Sequence, residues 1–142
     1  MILRRVARVL RLNRQERRLL LEALTLLSAV SPLLKFGPGK LTGRLIQRAS
    51  TSAAGPTDAK LASEVAAAVN KAAAHVPTST CLARALTGWV MVTRRHEAAT
   101  VRLGVQRGSA REIAAHAWLE CNGQRVIGGE SAHEYTPFPT FS

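Results

Sequence analysis

Cys81-Leu-Ala-Arg-Ala-Leu-Thr-Gly-Trp-Val90 and, shortly after it, Thr100-Val-Arg-Leu-Gly-Val-Gln106 follow different periods. The first has helical spacing and is preceded by Pro77-Thr-Ser-Thr80, in which Ser79 or Thr80 can act as the N-cap. The second alternates with period two, as a half-buried strand does. The change falls after Arg94-Arg95. Downstream, Arg107-Gly-Ser-Ala-Arg111 reads as a turn, Ile113–Cys121 as a second strand and Gln124–Ile127 as a third. Between the last two lies Asn122-Gly123, a strong hairpin signal. The tail Tyr135-Thr-Pro-Phe-Pro-Thr-Phe141 reads as irregular or as an edge.

Upstream, the chain is helical. Asn13 caps a helix with Gln15 and Glu16 in its first turn, and Leu19, Leu20, Ala23, Leu24, Leu27 and Val30 recur at helical spacing. Ser31-Pro32 is expected to end or bend it. Gly37-Pro38-Gly39 breaks the chain before a short helix, Leu41–Ala49. Ser50–Pro56 is a loop. Thr57 or Asp58 caps a third helix carrying Leu61, Val65, Ala68, Val69 and Ala72 and ending near His75. Helices first and a meandering antiparallel sheet second predict an α+β fold. The expected division is a basic helical segment, 1–50, and a core, 51–142, within one compact domain.

The chain has 142 residues and a net charge of +11. Residues 1–50 hold eleven Lys or Arg against Glu16 and Glu22; residues 51–142 hold nine against seven acids. Such a basic segment suits a solvated helical face, nucleic acid, an anionic membrane surface or an acidic partner. Phe36 is its only aromatic residue, which argues against single-strand stacking. No run of 18 apolar residues appears, and the charges of Met1–Leu10 interrupt its apolar residues, unlike a signal peptide. A cytoplasmic protein with reduced thiols and no transmembrane segment is expected.

Two cysteines are too few for a disulfide framework. Cys81 opens a helix, where free N–H groups and the helix dipole favour a thiolate. His116, on a strand that could cross that helix end, is the candidate base. Cys121 stands five residues from His116, so alternation puts it on the other face and it reads as a buried small hydrophobe. No Cys-x-x-Cys or His-x₃₋₅-His pair is present, so neither metal nor cofactor is expected. His75 and His96 are placed at helix ends as cations for terminal carbonyls, and His133 in a solvent-facing loop.

The trio Cys81-Leu-Ala-Arg-Ala-Leu86, Val101-Arg-Leu-Gly-Val-Gln-Arg-Gly108 and Ala115-His-Ala-Trp-Leu-Glu120 with Asn122-Gly123 resembles the leader peptidases of lasso-peptide biosynthesis, which are transglutaminase-like cysteine hydrolases. The close resemblance covers residues 78–138, and Asn13–Leu24 resembles the helix that begins such proteins. It implies a papain/transglutaminase-like fold, a Cys81/His116 pair and a ribosomally made precursor peptide as substrate. The family usually carries Asp twelve residues after the His, where this chain has Gly128. Glu130 is the candidate substitute: a three-residue hairpin loop would pair it with His116, and a two-residue loop would turn it away. Glu120 is about 13 Å along the strand from His116, and a backbone carbonyl or water is the other alternative. With helices before Cys81 and no β-rich recognition module, the resemblance implies a separate leader-binding protein and a downstream ATP-dependent macrolactam synthetase. Arg4, Arg5, Arg8, Arg11, Arg14, Arg17 and Arg18 are the expected docking surface.

Two rivals remain at this level. Cys–His chemistry also serves a transglutaminase-type acyl transferase, through the same thioester. A non-catalytic basic helical module binding nucleic acid or an anionic membrane would use residues 1–50 alone.

Overall fold

Asn13 starts the longest helix with a reciprocal cap. Its side chain accepts from the Glu16 N–H at 2.8 Å and its own N–H donates to the Glu16 carboxylate at 3.1 Å. In the computed structural model, which describes residues 2–52, 55–77, 79–107, 113–128 and 136–137, this helix is α2 (Arg14–Phe36). It follows α1 (Ile2–Leu10) and precedes α3 (Gly39–Ser50), α4 (Ala59–Ala73) and α5 (Cys81–Thr93). Then come β1 (Thr100–Arg107), β2 (Ile113–Cys121), β3 (Gln124–Ile127) and the short edge β4 (Thr136–Pro137). The sheet order is β3-β2-β1-β4, antiparallel throughout, and the fold is α+β.

Pro32 does not end α2, the first of the two outcomes the sequence allowed. A proline removes one helix hydrogen bond and crowds the carbonyl four residues back. Here its ring is exposed, Leu34 beyond it packs on the core, and the Gly37 N–H closes the final turn on the Leu33 carbonyl at 2.8 Å. α2 has the length and apolar content of a spanning segment, with mean hydropathy 1.6 over its best window. Its stripe of Leu19, Leu20, Ala23, Leu27 and Val30 is nevertheless buried, and the helix packs on α4 and α5.

α5 lies between the other helices and the sheet. Ala83, Ala85, Leu86, Thr87, Gly88, Met91 and Val92 are all buried, so the helix is covered on nearly every side. Full burial of a side chain such as Leu86 or Met91 contributes about 1.5–3 kcal/mol. On its flank, Glu22 of α2 joins Arg95 Nη2 at 2.6 Å and Arg94 Nη1 at 3.1 Å.

The β2–β3 hairpin turns through Asn122 (φ 55°) and Gly123 (φ 73°), with Cys121 pairing Gln124: a two-residue loop. Asn122 is held in place by Thr57, accepting from its N–H at 2.8 Å and donating to its carbonyl at 2.7 Å. The ladder then slips. Glu120 pairs Arg125, but Leu119 pairs Ile127, leaving Val126 as a bulge. Arg125 and Ile127, two residues apart, consequently face opposite sides. The Arg125 guanidinium lies 4.9 Å from the Trp118 ring, whereas Ile127 joins the core. The parity that a three-residue loop would have provided is supplied by this bulge.

α1 is strongly amphipathic. Leu3, Val6 and Leu10 form an apolar stripe, and all three are exposed. Arg17 of α2 donates to the Leu10 and Leu12 carbonyls at 3.2 and 3.4 Å and so ties down the end of α1.

Candidate active site

Thr80, not Ser79, caps α5. Its hydroxyl accepts from the Ala83 N–H at 3.2 Å and its carbonyl from the Arg84 N–H at 3.0 Å. The N–H groups of Cys81 and Leu82, first and second in the helix, are left outside the helix ladder, as at any helix start. Arg84 Nε reaches Ser79 Oγ at 3.4 Å and braces the entering loop. Cys81 itself is partly exposed.

α5 rests on the sheet at Gly88, where no side chain intervenes. A Cβ there would lie 2.8 Å from Leu119 Cδ2 and closer still to Ile127 Cδ1. The next residue, Trp89, donates from Nε1 to Ser52 Oγ at 2.9 Å. The Ser52 carbonyl in turn accepts from the Thr100 hydroxyl at 3.3 Å, and Thr100 pairs Glu120. Trp89, in the C-terminal half of α5, is thus tied through Ser52 to the Glu120 end of β2. Cys81 stands two turns before Gly88, about 10 Å along the axis. His116 stands three residues before Leu119, about 10 Å along the strand.

His116 Nε2 lies 3.0 Å from the Gly128 carbonyl oxygen. A carbonyl only accepts, so Nε2 carries the hydrogen, and in the neutral ring the lone pair is then on Nδ1. Gly128 has φ 76°, a backbone that side chains rarely adopt. A Cβ at Gly128 would lie 3.0 Å from the Ala117 carbonyl and 3.4 Å from His116 Nε2. At Gly128 this chain thus places a backbone carbonyl against the ring.

By alternation, His116 shares a face with Trp118 and Glu120, while Ala117, Leu119 and Cys121 join the core. The His116 and Trp118 rings stack at 6.1 Å and 27°. Trp118 Nε1 donates to Glu120 Oε1 at 3.0 Å, and Arg102 Nε meets Glu120 Oε2 at 3.3 Å. Glu120 reaches the histidine through the indole between them. Trp118 had no role in the sequence reading, although its place between His116 and Glu120 at strand spacing was a usable signal. Burial pushes the Cys121 thiol above its ordinary range.

Glu130 and His133 lie outside the described residues. His75 and His96 do not serve helix carbonyls as expected: both are exposed, and the bonds to the Ala72 and Thr93 carbonyls come from their backbone N–H groups. In the turn that follows each helix a backbone N–H three residues on satisfies those carbonyls, without the ring. Among the described residues, no three His, Cys, Asp or Glu side chains gather as metal ligands would. Of the seven arginines expected at a docking surface, Arg4, Arg11, Arg14 and Arg18 are exposed, and Arg17 is engaged with α1.

A family model described as the transglutaminase-like superfamily matches residues 2–140. The chain belongs to that superfamily. Its members are generally cysteine-peptidase-like enzymes, and the match takes in the helices of residues 1–50 as well as α5 and the sheet. No curated protein and no solved structure gives a significant match.

Proposed function

We propose that this chain is a cysteine peptidase that removes the leader from a lasso-type ribosomal precursor peptide. The observation that carries the reading is the contact of His116 Nε2 with the Gly128 carbonyl at 3.0 Å, which assigns a ring hydrogen to Nε2 and supports Nδ1 as the nitrogen that serves Cys81. His116 Nδ1 takes the proton of Cys81, and the thiolate adds to the scissile carbonyl. The N–H groups of Cys81 and Leu82 are the nearest donors for the resulting oxyanion, a contribution of about 3 kcal/mol per donor in comparable sites. The imidazolium then protonates the leaving amine, and water hydrolyses the thioester to release the acid and restore the thiol. Glu130 is the side chain assigned to orient His116 alongside the carbonyl.

A separate leader-binding protein delivers the precursor, since tethering a disordered leader offsets the entropy of ordering it. Arg4, Arg5, Arg8, Arg11, Arg14, Arg17 and Arg18 form its docking face, of which Arg4, Arg11, Arg14 and Arg18 are exposed, and a macrolactam synthetase takes the product. The test is cleavage of a precursor peptide followed by mass spectrometry, with and without the leader-binding protein. The expected result is slow or no cleavage alone, restoration with the partner, and no product from Cys81→Ser or His116→Ala. Diversion of the acyl group to an added primary amine in preference to water would make the enzyme an acyl transferase. An unimpaired Cys81→Ser protein would end the reading.

A further inference from the structure

A groove of about 580 Å³ runs beside the start of α5, between the C-terminal half of α2 and the segment joining α4 to α5. It reaches Thr80, the cap residue that immediately precedes Cys81. Leu34, Phe36, Val76 and Pro77 give it apolar walls. Phe36 is 78% exposed, an unusual position for a large aromatic with no packing role, and Lys35 Nζ sits 5.3 Å from its ring centre. Ser28, Ser31 and Pro32 line the α2 side. Because Pro32 has no N–H, the Ser28 carbonyl lacks the usual donor four residues on. Ser31 is buried, and its hydroxyl has no hydrogen-bond partner among the described residues. The ionisable side chains among the groove's described lining are Lys35 and His75, and neither is acidic.

We infer that this groove binds the stretch of substrate peptide adjoining the scissile bond, as an extended segment with an apolar side chain beside an acidic one. The inference rests on the peptidase reading of Cys81 and adds a substrate preference to it. An extended peptide needs both main-chain hydrogen-bond partners and side-chain pockets. The Ser28 carbonyl is an acceptor for its N–H groups, and Ser31 becomes a second polar partner if its rotamer turns towards the groove. Phe36 and Val76 cover an apolar side chain, and Lys35 selects a carboxylate next to it. A peptide lying here leads to Thr80 and so delivers its end to the first residue of α5.

The test labels the full-length chain with two acyloxymethyl ketones of identical leaving group, built on Leu-Glu-Gly and Leu-Lys-Gly. In each, the cysteine sulfur displaces the carboxylate and forms a thioether, and mass spectrometry locates the adduct. The glutamate probe should label Cys81 about threefold faster than the lysine probe, as expected for an exposed charge contact. Lys35→Glu should reverse that preference, and Phe36→Ser should slow both probes about tenfold through lost apolar contact. Both substitutions fall on exposed side chains, so iodoacetamide labelling of Cys81 should stay unchanged. Equal rates for the two probes, or a ratio unmoved by Lys35→Glu, would overturn the groove assignment and leave the peptidase standing. If neither iodoacetamide nor the probes favour Cys81 over Cys121, the peptidase reading fails and the groove assignment with it.

Discussion

Gly128→Ala, compared with Gly123→Ala, isolates the contact that holds His116. Both glycines have positive φ, 76° and 73°, so each alanine incurs a similar backbone penalty of about 1–2 kcal/mol. They differ in surroundings. A Cβ at Gly123 meets nothing within 4 Å, whereas one at Gly128 lies 3.0 Å from the Ala117 carbonyl and 3.3 Å from Trp118 Cβ. The carbonyl belongs to the central strand and cannot swing aside like a side-chain tip, so overpacking adds about 1–3 kcal/mol at Gly128. At roughly 3–4 °C per kcal/mol for a chain of this size, Gly123→Ala should lower Tm by about 5 °C and Gly128→Ala by about 12 °C. Thermal unfolding followed by circular dichroism measures the difference. Moving the Gly128 backbone also moves the carbonyl from His116 Nε2, so peptide cleavage below both transitions should fall more than tenfold for Gly128→Ala and little for Gly123→Ala. Equal Tm losses, or full activity in Gly128→Ala, would show that the backbone there yields freely and that its carbonyl does not hold the ring.

Cys81 should be alkylated by iodoacetamide faster than Cys121 near pH 7, because Cys121 is 3% exposed and its thiol is held protonated by burial; peptide mapping gives both rates. A folded-state thiol pKa raised above its unfolded value adds stability that is present below about pH 9 and lost as pH rises through the folded value. Cys121→Ala should therefore flatten the decline in denaturant midpoint between pH 8 and 10.5. Glu22→Gln should cost about 1 kcal/mol in urea unfolding, mostly through the half-buried Arg95 contact, since the Arg94 partner is exposed. The Arg95 pKa is raised, first by its hydrogen bond to Glu22. Its contribution is then constant below the arginine range, and the Glu22→Gln loss should be the same at pH 7 and pH 10.

Features set by a few neighbouring residues could be read from the sequence. The Asn13, Asp58 and Thr80 caps each bond a backbone N–H two or three residues ahead, and Asn122-Gly123 adopts positive φ as that pair favours. The period change after Arg95 was enough for the α+β class. Pro32 left two outcomes open because local preference opposes a helix there, and only packing beyond it, at Leu34, carries α2 through. The Val126 bulge went unread, although Gln124-Arg-Val-Ile127 does not alternate and sets two polar residues before two apolar ones. Cys81 and His116 were candidates from residue type, place and family resemblance, and a backbone carbonyl was one alternative for the group beside His116, but that Gly128 supplies it could not be read, because any residue has a carbonyl. The groove beside Thr80 was equally hidden, being assembled from α2 and a connection some forty residues later.

The bulge makes chain length in the hairpin a more stringent requirement than chemistry. A substitution at Val126 changes one partly buried side chain. Inserting a residue between Asn122 and Val126 would set Ile127 out of step with Leu119 and carry it out of the core, with the Gly128 carbonyl displaced from His116 in the same step. This short segment should therefore accept many exchanges of residue in a mutational library and almost no insertions.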